Sequence, residues 1–251
     1  MQRLVLGNWK MHLAAGETAA FLRDLLPRLP RRPDREIAVA PPFTSLAAAR
    51  AVLGDGPVAL AAQDVFWEDG GAYTGEISPL MLQELGVTYV LIGHSERRLH
   101  LGETDLMVNR KVRAALQSGL RPVVCVGEQE EARASGRAPS IVRAQVLRAF
   151  DEVPRADADR LAISYEPVWA IGTGRAADPS AAAEMHDLVR SELRRLFGEA
   201  GAAIRILYGG SVSARNIDAF MSAPGLDGVL VGGASLDAQE FARIADFEAH
   251  S

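Results

Sequence analysis

Glu166 is where a search for chemistry in this chain begins. It follows the apolar residues Leu161, Ile163 and Tyr165, at the point where a strand gives way to a loop. Pro167 then removes a ladder donor and stiffens the exit. Val168, Trp169, Ala170 and Ile171 are apolar in a segment that turn chemistry would make polar, and Gly172 and Gly174 follow as two permissive backbone positions. A carboxylate beneath an apolar flap with a stiff start and a loose end suits a general base under a closing lid. The same residues read equally well as a strand end leading into a partly buried connection.

Other groups could share that chemistry. Among 27 lysines and arginines, only Lys10 and Lys111 are lysines. Under such a bias toward arginine, a lysine is retained where a compact point charge does what a guanidinium cannot. Lys10, directly after a strand and close to Asn8, is the candidate. Lys111 sits mid-helix and reads as a leftover.

His94 lies just after an apolar strand and is followed by Ser95, Glu96, Arg97 and Arg98. A lone histidine is more often structural. A helix starting at Ser95, however, would favour the neutral imidazole through its dipole, ready to donate a hydrogen bond to a carbonyl oxygen. Glu96 fits a supporting role, paired with an arginine or with Lys10. Gly209-Gly210-Ser211 and Gly232-Gly233 stand where strands hand over to helices. Bare backbone N–H groups there can hold a phosphate without a charged side chain. One Gly-Gly pair is usually a tight turn; two on consecutive loops carry more weight.

Several motif matches carry little. Gly172-Thr173-Gly174-Arg175-Ala176-Ala177 fits a loose dinucleotide pattern, but its glycines follow Pro167 rather than a tight strand-to-helix turn. There is no G-x-S-x-G elbow, no H-E-x-x-H and no Walker lysine. His12, His94, His100, His186 and His250 lack ligand spacing, so no metal or other cofactor is expected. Cys125, inside an apolar strand, reads as buried and inert.

The elements that must position these groups are eight apolar runs: Leu4–Leu6, Ile37–Ala40, Val58–Ala61, Tyr89–Ile92, Pro122–Val126, Leu161–Tyr165, Ile204–Tyr208 and Val229–Val231. Between them lie stretches of helical period, such as Val108/Val112/Ala115/Leu116 and Met185/Leu188/Val189/Leu193/Leu196. Asp178-Pro179 and Ser213 read as helix starts, and Gly86 and Gly119 as stops. Strands alternating with helices indicate parallel βαβ units. Eight units in 251 residues fit an α/β chain folded as a closed (β/α)8 barrel, a single domain over 1–251. The continuous apolar character of the strands suits burial on both faces. An open, doubly wound sheet is the competing architecture. In a barrel, the strand C-termini carry the site, and the seventh and eighth loops hold phosphate.

Composition narrows the class. Hydrophobic content of 48% with 24% charged residues is ordinary for a globular chain, and a net charge of −5 offers no basic patch for nucleic acid. No apolar run approaches a membrane span, and the N-terminus lacks a signal peptide's apolar region. One cysteine suits a reducing compartment, so a cytoplasmic location is expected.

The motifs together resemble the triosephosphate isomerase family from end to end. The resemblance rests on Gly7-Asn8-Trp9-Lys10-Met11, Gly71-Ala72-Tyr73-Thr74-Gly75-Glu76, Ile92 through Arg98, Tyr165 through Gly174, Tyr208 through Val212 and Leu230 through Leu236. It implies a TIM barrel. It also implies an aldose–ketose isomerase, interconverting D-glyceraldehyde 3-phosphate and dihydroxyacetone phosphate through an enediolate in glycolysis and gluconeogenesis. Glu166 would be the base, His94 the neutral electrophile and Lys10 the cation that stabilises negative charge. Asn8 would position the substrate, and Gly172, Ser211, Gly232 and Gly233 would hold its phosphate. Residues 167–175 would form the lid. His12 and Arg175 depart from common family residues without touching that chemistry.

The resemblance further implies a homodimer in which the loop Gln63–Glu76, bearing Phe66, Trp67 and Tyr73, enters a second subunit. The residues alone also allow this aromatic loop to fold onto its own barrel. Other readings are an isomerase of a longer phosphorylated ketose such as a tetrulose phosphate, a non-catalytic sugar-phosphate binder, and a barrel glycosidase pairing Glu166 with Glu96 or Glu128. The last is disfavoured by 6% aromatic content and by glycine pairs left without a task.

Overall fold

The computed structural model describes residues 2–170 and 178–249. Eight strands, β1 (Arg3–Asn8), β2 (Arg35–Ala40), β3 (Val58–Ala62), β4 (Tyr89–Ile92), β5 (Arg121–Val126), β6 (Ala162–Tyr165), β7 (Arg205–Tyr208) and β8 (Gly228–Val231), form a closed barrel in sequence order. Every pairing is parallel, and β1 closes the circle on β8 through Leu4↔Gly228 to Gly7↔Val231. All eight apolar runs are strands, with ends shifted by at most two residues, and the open-sheet alternative falls away. The helices are α1 (Ala15–Leu25), α2 (Leu46–Leu53), α3 (Pro79–Glu84), α4 (Ser95–Leu101), α5 (Asp105–Gln117), α6 (Glu130–Ala134), α7 (Ala138–Ala149), α8 (Pro179–Phe197), α9 (Ile217–Ser222) and α10 (Ala238–Ala245). None of the described helices is long and apolar enough to cross a membrane.

The period of two along each strand divides the apolar residues between two layers. Leu4, Leu6, Ala38, Ala40, Tyr89, Leu91, Val123, Cys125, Ala162, Leu207 and Leu230 fill the barrel interior. Val5, Ile37, Val39, Val90, Val124, Ile163, Ile206 and Val229 face outward and pack under the helices. Both layers are closed to solvent, which is why these strands lack polar alternation.

The helix signals divide. Asp178 caps α8 by accepting from Ser180 N at 3.2 Å. Gly86 and Gly119 take φ of 69° and 78° just past α3 and α5. Ser213 does not cap: α9 begins only at Ile217. Instead, Ser213 N donates to the Asn216 side chain at 2.8 Å, which closes a turn before the helix.

Candidate active site

Strand parity carries the candidate residues to one place. Leu4 and Leu6 point inward, so Asn8, at the end of β1, continues inward at the mouth. Ala162 lies in the interior, so Glu166, two steps of two beyond it, does the same above β6. Leu207 and Leu230 likewise hand their inward parity to Gly209 and Gly232. The result is a cavity of about 380 Å³ lined by Asn8, Lys10, His94, Glu166, Ser211 and the glycines 209, 210, 232 and 233. The sequence-predicted residues that are described here therefore meet. Gly172, and with it residues 171–175 of the expected lid, lies outside the described residues.

Glu166 is buried, and one oxygen, Oε2, accepts the Ser95 N–H at the start of α4 at 3.0 Å. Its Oε1 makes no hydrogen bond and stands 3.5 Å from His94 Nε2. His94 is the N-cap of α4: its Nδ1 accepts the Glu96 N–H at 3.3 Å. An acceptor nitrogen carries no proton, so the neutral ring's hydrogen sits on Nε2, which faces the cavity and Glu166. The α4 start thus orients both the base candidate and the electrophile candidate. The sequence suggested this for His94 but gave no sign that Ser95 would hold Glu166.

Lys10 holds a left-handed backbone, φ 49°, unusual outside glycine. Two bonds fix it there: Lys10 N donates to Asn8 Oδ1 at 3.0 Å, and Gln63 Nε2 donates to Lys10 O at 2.7 Å. Its ammonium pairs with Glu96 Oε1 at 2.5 Å. Burial alone would raise the Glu96 pKa, but the bond to Lys10 and its charge outweigh that and leave it lowered. Glu96 therefore pairs with the lysine, one of its two expected partners. A Cβ on Gly232 would lie 3.4 Å from Lys10 Cε, so the missing side chain leaves room for the ammonium beside that backbone.

The other glycine pair is equally constrained. A Cβ on Gly209 would lie 2.9 Å from Glu166 Cγ, and one on Gly210 would run into the Tyr208 phenol. Ser211 Oγ donates to Ala170 O at 2.9 Å, tying the seventh loop to the start of the expected lid. Val168–Ala170 form a single 3₁₀ turn. Glu128, which is buried, accepts from Trp169 Nε1 at 3.0 Å and from the Tyr165 phenol at 3.1 Å. Burial first, and Glu128 second, push the Tyr165 phenol upward, so it stays a donor. Committed to these contacts, Glu128 is absent from the cavity wall that Glu166 shares with His94. Cys125 is buried as expected, its thiol pushed well up by burial and by neighbouring Glu166.

Lys111 is no leftover. It is buried, with Asp64 Oδ1 at 2.7 Å and Glu103 Oε1 at 3.2 Å, and Arg97 adds contacts to both acids at 2.8 Å and 2.7 Å. Two acids and two bases thus balance beneath the fourth loop. Glu103 Oε1 also accepts the Gly93 N–H at 3.2 Å, directly before His94.

The aromatic loop folds in part onto its own chain. Phe66 is buried and stacks on Trp67, with centroids 4.1 Å apart, so these two fold onto their own chain. Residues 68–76 are all exposed, Tyr73 among them.

Comparison with known proteins agrees with this geometry. The family model described as triosephosphate isomerase matches residues 3–248. A triosephosphate isomerase of Chloroflexus aurantiacus is 52% identical, and one of Herpetosiphon aurantiacus 48%, each alignment covering 98% of both chains. The crystal structure of triosephosphate isomerase from Bartonella henselae superposes with a TM-score of 0.89 at 37% identity, covering 98% of each chain.

Proposed function

Because this chain belongs to the triosephosphate isomerase family, an enzyme that interconverts D-glyceraldehyde 3-phosphate and dihydroxyacetone phosphate, we propose that Glu166, His94 and Lys10 carry that reaction here. The Glu166 carboxylate removes the proton from the carbon beside the carbonyl, and the electron pair moves onto oxygen as an enediolate. His94 Nε2–H polarises the carbonyl and passes a proton between the two oxygens. Lys10 stabilises the negative charge, and Asn8, which bonds its backbone, sets its position. Glu166 then returns the proton to the neighbouring carbon. The phosphate rests on the backbone of Ser211, Gly232 and Gly233, with Gly172 as a further proposed contact.

The observation that supports this assignment best is convergence: one 380 Å³ cavity gathers Glu166, His94 and Lys10 with both glycine pairs. Replacing Glu166 by Gln removes the base and keeps the shape. We expect kcat to fall about 10³-fold, with little change in KM. A kcat within tenfold of the parent enzyme would show that another group takes the proton.

The assembly proposed is a homodimer built on the loop Gln63–Glu76. Its exposed tip supports this, as do Met11 at 92% exposure and the exposed Leu80 and Met81. Gln63, at the base of the loop, also bonds Lys10 O and Ala40 O, so docking that loop would steady the lysine. A single domain and a cytoplasmic location complete the proposal.

A further inference from the structure

Gly127, the residue after β5, sits between two backbone rungs to the segment after β6, the second being Val168 N–H to Glu128 O at 3.1 Å. Just before it, Val126 O still accepts the Glu166 N–H at 2.7 Å. Gly127's own N–H and C=O are met instead by a side chain. Gln145, on α7, accepts the Gly127 N–H at 2.7 Å and donates Nε2 to Gly127 O at 3.1 Å. One amide thus closes both polar groups of one peptide residue, as a paired strand would. Gly127 in turn lies against the backbone of Glu166: a Cβ on it would run into the Glu166 carbonyl oxygen. Any shift of Gly127 toward β6 therefore pushes Glu166 itself.

We infer that Gln145 is a positioning residue for the reaction, a clamp on Gly127 that fixes the backbone from which Glu166 reaches the substrate. It touches neither substrate nor reacting atoms. Its effect is geometric, and proton abstraction is steeply sensitive to geometry: a displacement of about 1 Å costs on the order of 100-fold. Among the described residues, the two Gln145 hydrogen bonds reach Gly127 and not the loops after β7 and β8, so the clamp is expected to leave phosphate affinity unchanged. Gln145, Gly127 and Glu166 also line a second cavity of about 450 Å³ on the side of Glu166 away from Lys10. Solvent in that space can hydrate Gly127 when the amide is removed, which lets a truncated variant fold.

The inference rests on Glu166 being the base, so Glu166→Gln is measured in parallel. Gln145→Ala removes the clamp, and Gln145→Met keeps its volume without its bonds. We expect both Gln145 variants to lose about ten- to 100-fold in kcat with glyceraldehyde 3-phosphate, at a temperature where circular dichroism shows them folded. The inhibition constant of inorganic phosphate should stay within about twofold. A Met variant with kcat within threefold of the parent would overturn the inference, as would phosphate affinity falling in step with kcat. If Glu166→Gln itself keeps its rate, the base assignment fails, and that result is separable from the clamp.

Discussion

Lys10→Arg keeps the charge and changes only where it sits. The Lys10 ammonium lies between Glu96 Oε1, at 2.5 Å, and the open backbone of Gly232, whose virtual Cβ is 3.8 Å from Nζ. An arginine carries its charge centre farther along a broader, planar head. Held by Glu96, that head cannot come as close to an enediolate oxygen. At an effective dielectric of about 20, charges roughly 3 Å apart attract by about 5.5 kcal/mol, and at roughly 4.5 Å by about 3.7 kcal/mol. The difference, about 2 kcal/mol, corresponds to a loss of about twentyfold in kcat/KM. Lys10→Ala should lose most of the full attraction, on the order of 10⁴-fold. The assay is initial velocity in both directions, with product formation coupled to nicotinamide oxidation or reduction, on variants whose melting temperatures match the parent. The order should be parent, then arginine, then alanine. An arginine variant within threefold of the parent would refute the argument that a compact charge is required, and with it the reason for a lysine here.

Gly209→Ala places a methyl 2.9 Å from Glu166 Cγ and 2.5 Å from Ser164 Oγ; steady-state kinetics should show kcat reduced at least tenfold, and an unchanged kcat would mean that Glu166 is free to move aside. His186, buried on α8, has its pKa lowered to about 4 from 6.5, chiefly by burial. Its folded form therefore binds fewer protons than the unfolded chain, and stability falls as pH drops from 6.5 toward 4, by about 2 kcal/mol at pH 5. Urea unfolding at pH 7 and pH 5 should show that loss in the parent and not in His186→Gln; equal slopes would remove His186 as the cause. Tyr73→Asp, at the exposed loop tip, should shift sedimentation from dimer to monomer and reduce kcat/KM at low protein concentration. A parent enzyme that sediments as a fully active monomer would refute the dimer.

Much of this site is legible in the sequence because it follows from strand parity. Once β1, β6, β7 and β8 are recognised, period-two alternation puts Asn8, Glu166, Gly209 and Gly232 on the inner side of the barrel mouth without further information. What parity cannot give is contact between side chains from distant elements. Ser95 N–H on Glu166 joins residues 71 positions apart, and Gln145 on Gly127 spans 18. Neither pair has a local signature. Lys111 shows the same limit from the other side. Its helix position is ordinary, and only the fold brings Asp64, Glu103 and Arg97 around it. The rarity of lysine points to it, while its mid-helix position reads as a leftover. The aromatic loop is ambiguous because hydrophobicity does not distinguish a buried ring, as in Phe66, from one that packs on it and stays half exposed, as in Tyr73.

The start of α4 joins these threads. Its first turn supplies Ser95 N–H to Glu166 and Glu96 N–H to His94, so two amides of one helix end hold the proposed base and fix the imidazole tautomer. Its side chains then reach outward: Glu96 to Lys10, and Arg97 to Asp64 and Glu103. Arg98 donates to Gly93 O at 2.8 Å, bracing the peptide before His94. The Ser95 bond also makes the two oxygens of the Glu166 carboxylate unequal. It occupies Oε2 with a donor, while Oε1 faces His94 without a hydrogen bond of its own. The buried ion cluster beneath α4 is then more than ballast. By fixing Arg97 and Gly93, it holds in place the helix start whose amides meet Glu166 and His94.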